Sequence, residues 1–291
     1  MRIPAVLVAL AIACYPVCAP AAELRVLASF LPVYLFARNV VGEIPGVSIE
    51  LMLPPSHGDP HDYSLTPGDM RKIAAADLFL VNGYGIEEFL GAPVRKANPE
   101  IRVVETAAGV TPIRAPGGGH GDVNPHTWLS PRNAILQVRS IERALSAASP
   151  VNAPAFRRNA DAYVKKLTVL SGEVDAASRR FRNRNIVTFH NAFDYLARDL
   201  GLAVVGYVEE TPGQEPSAGE IRKLLATIRA KKVPAVFSEP QYPVRIAEMI
   251  AREAGVPVRA LDPVSTGSTD PSTYEVVMRK NLQTLSEVLE K

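Results

Sequence analysis

APAFRRNADAYVKKLTVLSGEVDAASRRFR, residues 153–182, is the stretch on which the fold turns. Pro154 falls in the first turn, where a missing N–H costs nothing, and Gly172 is the one later helix breaker. Phe156, Ala160, Tyr163, Leu167, Leu170, Val174 and Ala177 recur at alternating four- and three-residue steps. That is the stripe of a helix packed along one side. At about 1.5 Å per residue such a helix reaches roughly 45 Å, more than one small domain spans. A coiled-coil arm would pair its flanking charges, and here they are not regularly paired. A helix bridging two lobes fits better.

On both sides of this stretch, strand and helix patterns alternate. Upstream, strands are expected at 23–29, 47–52, 77–81 and 101–105. Helices are expected at 31–41, from Thr66-Pro67 onward, at 86–96 with an interruption at Pro93, and at 131–148. Downstream, strands at 186–189, 203–208, 235–238 and 256–261 alternate with helices at 192–200, 217–230, 244–254 and 272–289. Alternation of this kind predicts an α/β protein with parallel sheets covered on both faces. The expected division is 1–21 signal segment, 22–149 first lobe, 150–184 linking helix and 185–291 second lobe. The two halves repeat in architecture and not letter by letter.

Composition narrows the function. With 291 residues, 47% hydrophobic and 21% charged, the chain can bury a large core and lies outside the disordered class. Its 32 basic and 30 acidic residues give neither a nucleic-acid footprint nor a polybasic membrane patch. Met1-Arg2, the apolar run 3–13 and Ala19-Pro20-Ala21 read as a secretory signal with a small-residue cleavage site. The expected location is therefore periplasmic. Both cysteines, Cys14 and Cys18, lie inside that segment, so cleavage after Ala21 leaves no thiol and no disulfide. Cleavage before Cys14 with lipidation is the alternative, although Ala11-Ile12-Ala13-Cys14 lacks the usual leucine of a lipoprotein signal. Without thiols, a metal site must draw on His and carboxylates.

The five histidines are His57, His61, His120, His126 and His190, and none falls inside an expected helix or strand. His126 sits in Asn124-Pro-His-Thr-Trp-Leu-Ser-Pro131, between two prolines that stiffen the backbone around it. The same stretch admits a core histidine in an ordinary strand-to-helix turn. His61 and His190 follow the carboxyl ends of expected strands, as do Asp262 and Glu239, and in open α/β sheets ligands bind there. His57 and His120, beside glycines, read as surface residues. The glycine run 117–119 lacks the lysine and hydroxyl of a phosphate loop and reads as flexible loop.

Gly58-Asp-Pro-His61, Asn124-Pro-His-Thr-Trp-Leu-Ser-Pro131, Thr188-Phe-His-Asn-Ala-Phe-Asp-Tyr195 and Leu261-Asp-Pro263 together resemble the zinc and manganese solute-binding proteins of ABC importers, the cluster A-I family. Glu215-Pro-Ser217 and Phe237-Ser-Glu-Pro240 support the match. The resemblance implies a periplasmic-binding-protein fold with a rigid helix between the lobes and one metal ion held between them. The implied ligands are His61 and His126 from the first lobe and His190 and Asp262 from the second. Glu239 is implied as an acceptor that orients a ligand imidazole. Zinc members often carry a histidine-rich loop before the second ligand and a disulfide in the second lobe. This chain has only His120 in that loop and no cysteine for the disulfide.

Three imidazoles and one carboxylate favour zinc over manganese, whose binders in this family usually place Glu at the third histidine. Protons compete for the imidazoles, so binding is expected to weaken as pH falls through about 6.5. The implied partners are a membrane permease with its ATPase, and the resemblance admits a periplasmic metallochaperone. The chain itself is expected to be a monomer, touching the membrane only through the permease or a lipid anchor at Cys14. A metal-dependent surface adhesin could share this pattern. A secreted zinc hydrolase is the reading left for an enzyme, but the chain has no His-Glu-x-x-His helix and no Gly-x-Ser-x-Gly elbow.

Overall fold

Leu78–Val81 (β3), a run of four buried apolar residues, lies inside a parallel sheet that Leu24–Ala28 (β1), Val47–Leu51 (β2) and Arg102–Glu105 (β4) complete in the order β2-β1-β3-β4. The computed structural model describes residues 23–58, 60, 63–114, 123–210 and 213–291, so the expected signal segment, both cysteines, His61, His120 and the glycine run lie outside the described residues. A second four-stranded sheet holds Asn185–Thr188 (β5), Ala203–Tyr207 (β6), Val236–Ser238 (β7) and Val258–Ala260 (β8) in the order β6-β5-β7-β8. Every pairing in both sheets is parallel. The two orders are the same once the second is renumbered, so the architectural repeat is a repeat of topology. In each sheet the order reverses beside the first strand, and such a switch point opens a crevice at the strands' carboxyl ends.

Helices Leu31–Val41 (α1), Pro67–Ala75 (α2), Gly91–Ala97 (α3) and Pro131–Ala148 (α4) belong to the first half. Thr66 caps α2 in a capping box with Asp69, and Ser130 caps α4 through Asn133 N–H, with Pro67 and Pro131 in the first helical position. The expected interruption at Pro93 is corrected. A 3-10 turn Glu88–Leu90 precedes α3, the break falls at Leu90–Gly91, and Pro93 occupies the first turn, where it is tolerated.

Ala153–Arg180 is the long helix, α5, and its buried residues are the seven of the expected stripe. It ends two residues early because Phe181 turns extended and buries its ring, while Arg182 and Asn183 N–H both bond to Leu289 C=O. Asp194–Leu200 (α6), Ala218–Ala230 (α7), Arg245–Ala254 (α8) and Thr273–Leu289 (α9) complete the second half. Strand β8 is shorter than expected because β7, its partner, has three residues. Val236 N–H to Pro257 C=O and Leu261 N–H to Ser238 C=O finish the ladder just outside it. One apolar core runs from Leu24 through α1, α4 and α5 to Leu289 in α9, and a smaller one lies around Val187, Ile228 and Val236.

Candidate metal centre

Strand β5 points its carboxyl end at the switch point of the second sheet, and His190 follows it by two residues, 1% exposed. Glu239 follows β7, the strand on the other side of the switch, and is 2% exposed. The two residues meet there: Glu239 Oε1 lies 2.7 Å from His190 Nδ1, and Gln241 Nε2 donates to Glu239 Oε2 at 2.7 Å. A carboxylate only accepts, so Glu239 favours the His190 tautomer that carries its proton on Nδ1 and keeps a lone pair on Nε2.

His126 is set by the first sheet's switch point without standing on it. Asn82, just after β3, donates from Nδ2 to Pro125 C=O at 2.9 Å, and its Oδ1 accepts from Thr127 Oγ1 and Gln137 Nε2 at 3.0 Å each. Those bonds grip the residues on either side of the imidazole. The turn bearing Asn82 is in turn held by Glu87, whose carboxyl accepts from Ser29 Oγ, Asn82 N–H and Gly83 N–H at 2.8, 2.6 and 3.0 Å. Gly83 is required there: its φ is +91°, and a Cβ would meet Glu105 Oε2 at 3.0 Å. Burial pushes the Glu87 carboxyl up to about 7 against the pull of these donors. The His126 ring is 3% exposed, and its Nδ1 lies 2.9 Å from Asn124 Oδ1.

With both Nδ1 atoms turned to acceptors, the two Nε2 atoms face each other at 3.2 Å. At that distance one Nε2–H can donate to the other ring, and with both protons on Nδ1 the two lone pairs repel unless a cation lies between them. Two zinc–nitrogen bonds of 2.0–2.1 Å at a tetrahedral angle would set the nitrogens about 3.3–3.4 Å apart. The pair is spaced for such an ion.

The remaining expected residues divide. Asp262 follows β8, its backbone clamped by Asn281 through N–H to Oδ1 at 2.9 Å and Nδ2 to C=O at 2.7 Å. Its Oδ1 accepts from Val264 N–H at 2.8 Å, and Val264, a β-branched residue, holds a φ of +64°. Such backbone strain is typical of functional loops. Burial raises the Asp262 carboxyl above its usual range. Neighbouring Pro263 and Ser265 line one crevice with His126, Trp128, His190, Gln241 and Pro60, but among the described residues no three His, Cys, Asp or Glu side chains stand close enough together to hold a metal ion. His61 follows Pro60 in the sequence and lies outside the described residues. Gln241 Oε1 and Ser265 Oγ are buried in the crevice wall with no hydrogen-bond partner among the described residues. His57 stacks edge-on against Tyr63 at 4.7 Å.

Sequence reasoning missed Asn82, Glu87 and Gln241, and gave Asn124 no role although it lies inside a quoted motif. A polar residue just after a β3 strand or a β7 strand was the one available signal.

A family model described as the periplasmic zinc-uptake complex component A, ZnuA, matches residues 26–288. The zinc-binding protein AdcA of Streptococcus pyogenes is 31% identical over 290 residues, covering 90% of this chain and 55% of AdcA. The iron-binding protein YfeA of Yersinia pestis is 30% identical over 276 residues, covering 92% of this chain and 86% of YfeA. The chain thus spans about half the length of AdcA. A crystal structure of a ZnuA deletion mutant with zinc bound superposes with a TM-score of 0.82 at 27% identity, covering 92% of this chain and 99% of that one.

Proposed function

Because the chain belongs to the ZnuA family, whose members are metal-binding solute-binding proteins and not enzymes, we propose that it captures one zinc ion between its two lobes and delivers it to a membrane permease driven by an ATPase. The observation that carries this reading is the buried pair of Nε2 atoms 3.2 Å apart, each ring fixed by an acceptor on Nδ1. His126 and His190 are two of the proposed ligands. Asp262, on the strained loop beside the crevice, and His61, next to Pro60, supply the other two. The proposed lobes are residues 22–149 and 185–291, joined by the helix region 150–184. Export and work in the periplasm belong to the same reading, and no described helix is long and apolar enough to cross a membrane.

Zinc is favoured by the donor set. Imidazole nitrogen suits zinc, whereas manganese prefers oxygen, and the Irving–Williams order places zinc well above manganese. YfeA, a relative at 30% identity, is named as iron-binding, so metal choice is measured directly. Protein stripped with chelator is titrated with zinc and manganese in competition. A 1:1 zinc complex is expected, preferred over manganese, and lost in His126→Ala and His190→Ala. Full zinc affinity in both variants would refute the site.

A further inference from the structure

Asn124 is fully buried at 0% exposure, and all four polar contacts of its side chain are satisfied. Oδ1 accepts from His126 N–H at 2.9 Å and faces His126 Nδ1 at 2.9 Å. Nδ2 donates to Asn191 C=O at 2.7 Å and to Asp194 Oδ2 at 3.1 Å. The backbone carbonyl and the carboxylate can only accept, so Nδ2 must face them and Oδ1 must face the imidazole. The carboxamide thereby favours the His126 tautomer with its proton on Nδ1. Its anchors are in the other half of the molecule. Asn191 follows His190 by one residue and Asp194 by four, Tyr207 OH donates to Asp194 Oδ1 at 3.1 Å, and Tyr195 OH donates to Asn124 C=O at 2.8 Å.

The two imidazoles are therefore held differently. The acceptor for His190 is Glu239, from a neighbouring strand of the same sheet, so that ring is aimed from within its own lobe. The acceptor for His126 is itself pinned across the lobe boundary. We propose that Asn124 is a positioning residue: it fixes the His126 tautomer and couples the aim of that ring to the segment bearing His190, so that ligands from the two lobes are aligned before the ion arrives. This rests on the reading that His126 and His190 take the ion.

The test compares wild type, Asn124→Ala and Asp194→Ala. Asp194→Ala keeps the acceptor beside His126 Nδ1 and the Asn191 C=O anchor and removes the other cross-lobe anchor of Asn124 Nδ2. Long-range nitrogen–proton correlation spectra of the metal-free proteins at about pH 8, where free imidazole is neutral, report the ring tautomer, and competition with a chelator reports zinc affinity. In Asn124→Ala, His126 is expected to lose its single Nδ1–H tautomer and zinc affinity to fall roughly 10- to 100-fold. Asp194→Ala is expected to keep the tautomer and to lose affinity, though less than Asn124→Ala. Asn124→Ala that keeps both tautomer and affinity, or Asp194→Ala with the affinity of wild type, overturns the proposal. Melting temperatures of all three separate these results from mere loss of folding, which would leave the tautomer of the folded fraction unchanged. A wild-type protein that takes no zinc while the tautomer still follows Asn124 would strike the site reading and leave the positioning role standing.

Discussion

Glu239 places a buried carboxylate against His190 Nδ1, and Gln241 holds its second oxygen. Such an acceptor raises the basicity of the opposite nitrogen and fixes the ring, and losing it typically costs about 10- to 100-fold in metal affinity. Glu239→Gln keeps an oxygen that can accept and loses the charge, so it should weaken zinc less than Glu239→Ala does. Chelator competition at fixed pH checks the order, and equal affinity across all three proteins would remove Glu239 from the site. Glu87 makes a prediction of the opposite electrostatic kind. Its carboxyl sits at about 7 in the folded protein against 4.5 when unfolded. The folded state therefore binds more protons in between, and stability from this group is full below about 4.5 and is lost as pH rises through about 7. A shift of that size is worth about 3 kcal/mol at most. Glu87→Gln cannot ionise but turns an amide N–H toward Gly83 or Asn82 N–H, so it should start less stable than wild type near pH 4.5 and gain on it as pH rises to 8, read from denaturant curves. Parallel curves would place Glu87 in water.

At the scale of elements, α5 carries the joint between the halves, and its buried stripe decides whether it stays straight. Leu167 is 0% exposed and Val169, two residues on, is 59% exposed. Leu167→Ala should cost about 2–5 kcal/mol and Val169→Ala no more than about 0.5 kcal/mol, read from denaturant midpoints. Similar costs would mean that the stripe is not what anchors the helix. This stripe was legible in the sequence because helical period and burial are the same fact seen twice. So were α2, α4 and α7, whose starts are written in Thr66-Asp69, Ser130-Pro131 and Ser217-Glu220. Strand ends were less legible: residues 256–261 read as one strand, but only a three-residue partner could pair with them. His126 and His190 were visible by type and flank, His126 between two prolines and His190 just past a strand end. Asn124 and Asn82 were not, because an amide acquires its role from partners 67 and 43 residues away.

The two halves of the whole molecule are tied well beyond α5. Trp128, 1% exposed and packed 5.2 Å from the His126 ring, donates from Nε1 to Pro263 C=O at 2.8 Å, and Tyr274 OH returns a bond to Trp128 C=O at 2.7 Å. Gly267 N–H reaches Pro55 C=O at 2.9 Å, and α9 packs back on α1 and α5 within one continuous core. Hinge closure requires a few residues to absorb a large φ/ψ change while the two bodies separate. Here separation would break buried hydrogen bonds and expose core that runs through both halves, each at a cost of about 1 kcal/mol or more per bond. Ion capture is therefore expected to proceed by local movement of the loop that bears Asp262, with the lobes nearly fixed. X-ray scattering of metal-free and zinc-loaded protein checks this: a chain of this length has a radius of gyration of roughly 19 Å, and zinc should change it by no more than about 0.5 Å. A compaction several times larger would mean that the cross-lobe bonds form only around the ion, and that α5 bends where its stripe predicts it is rigid.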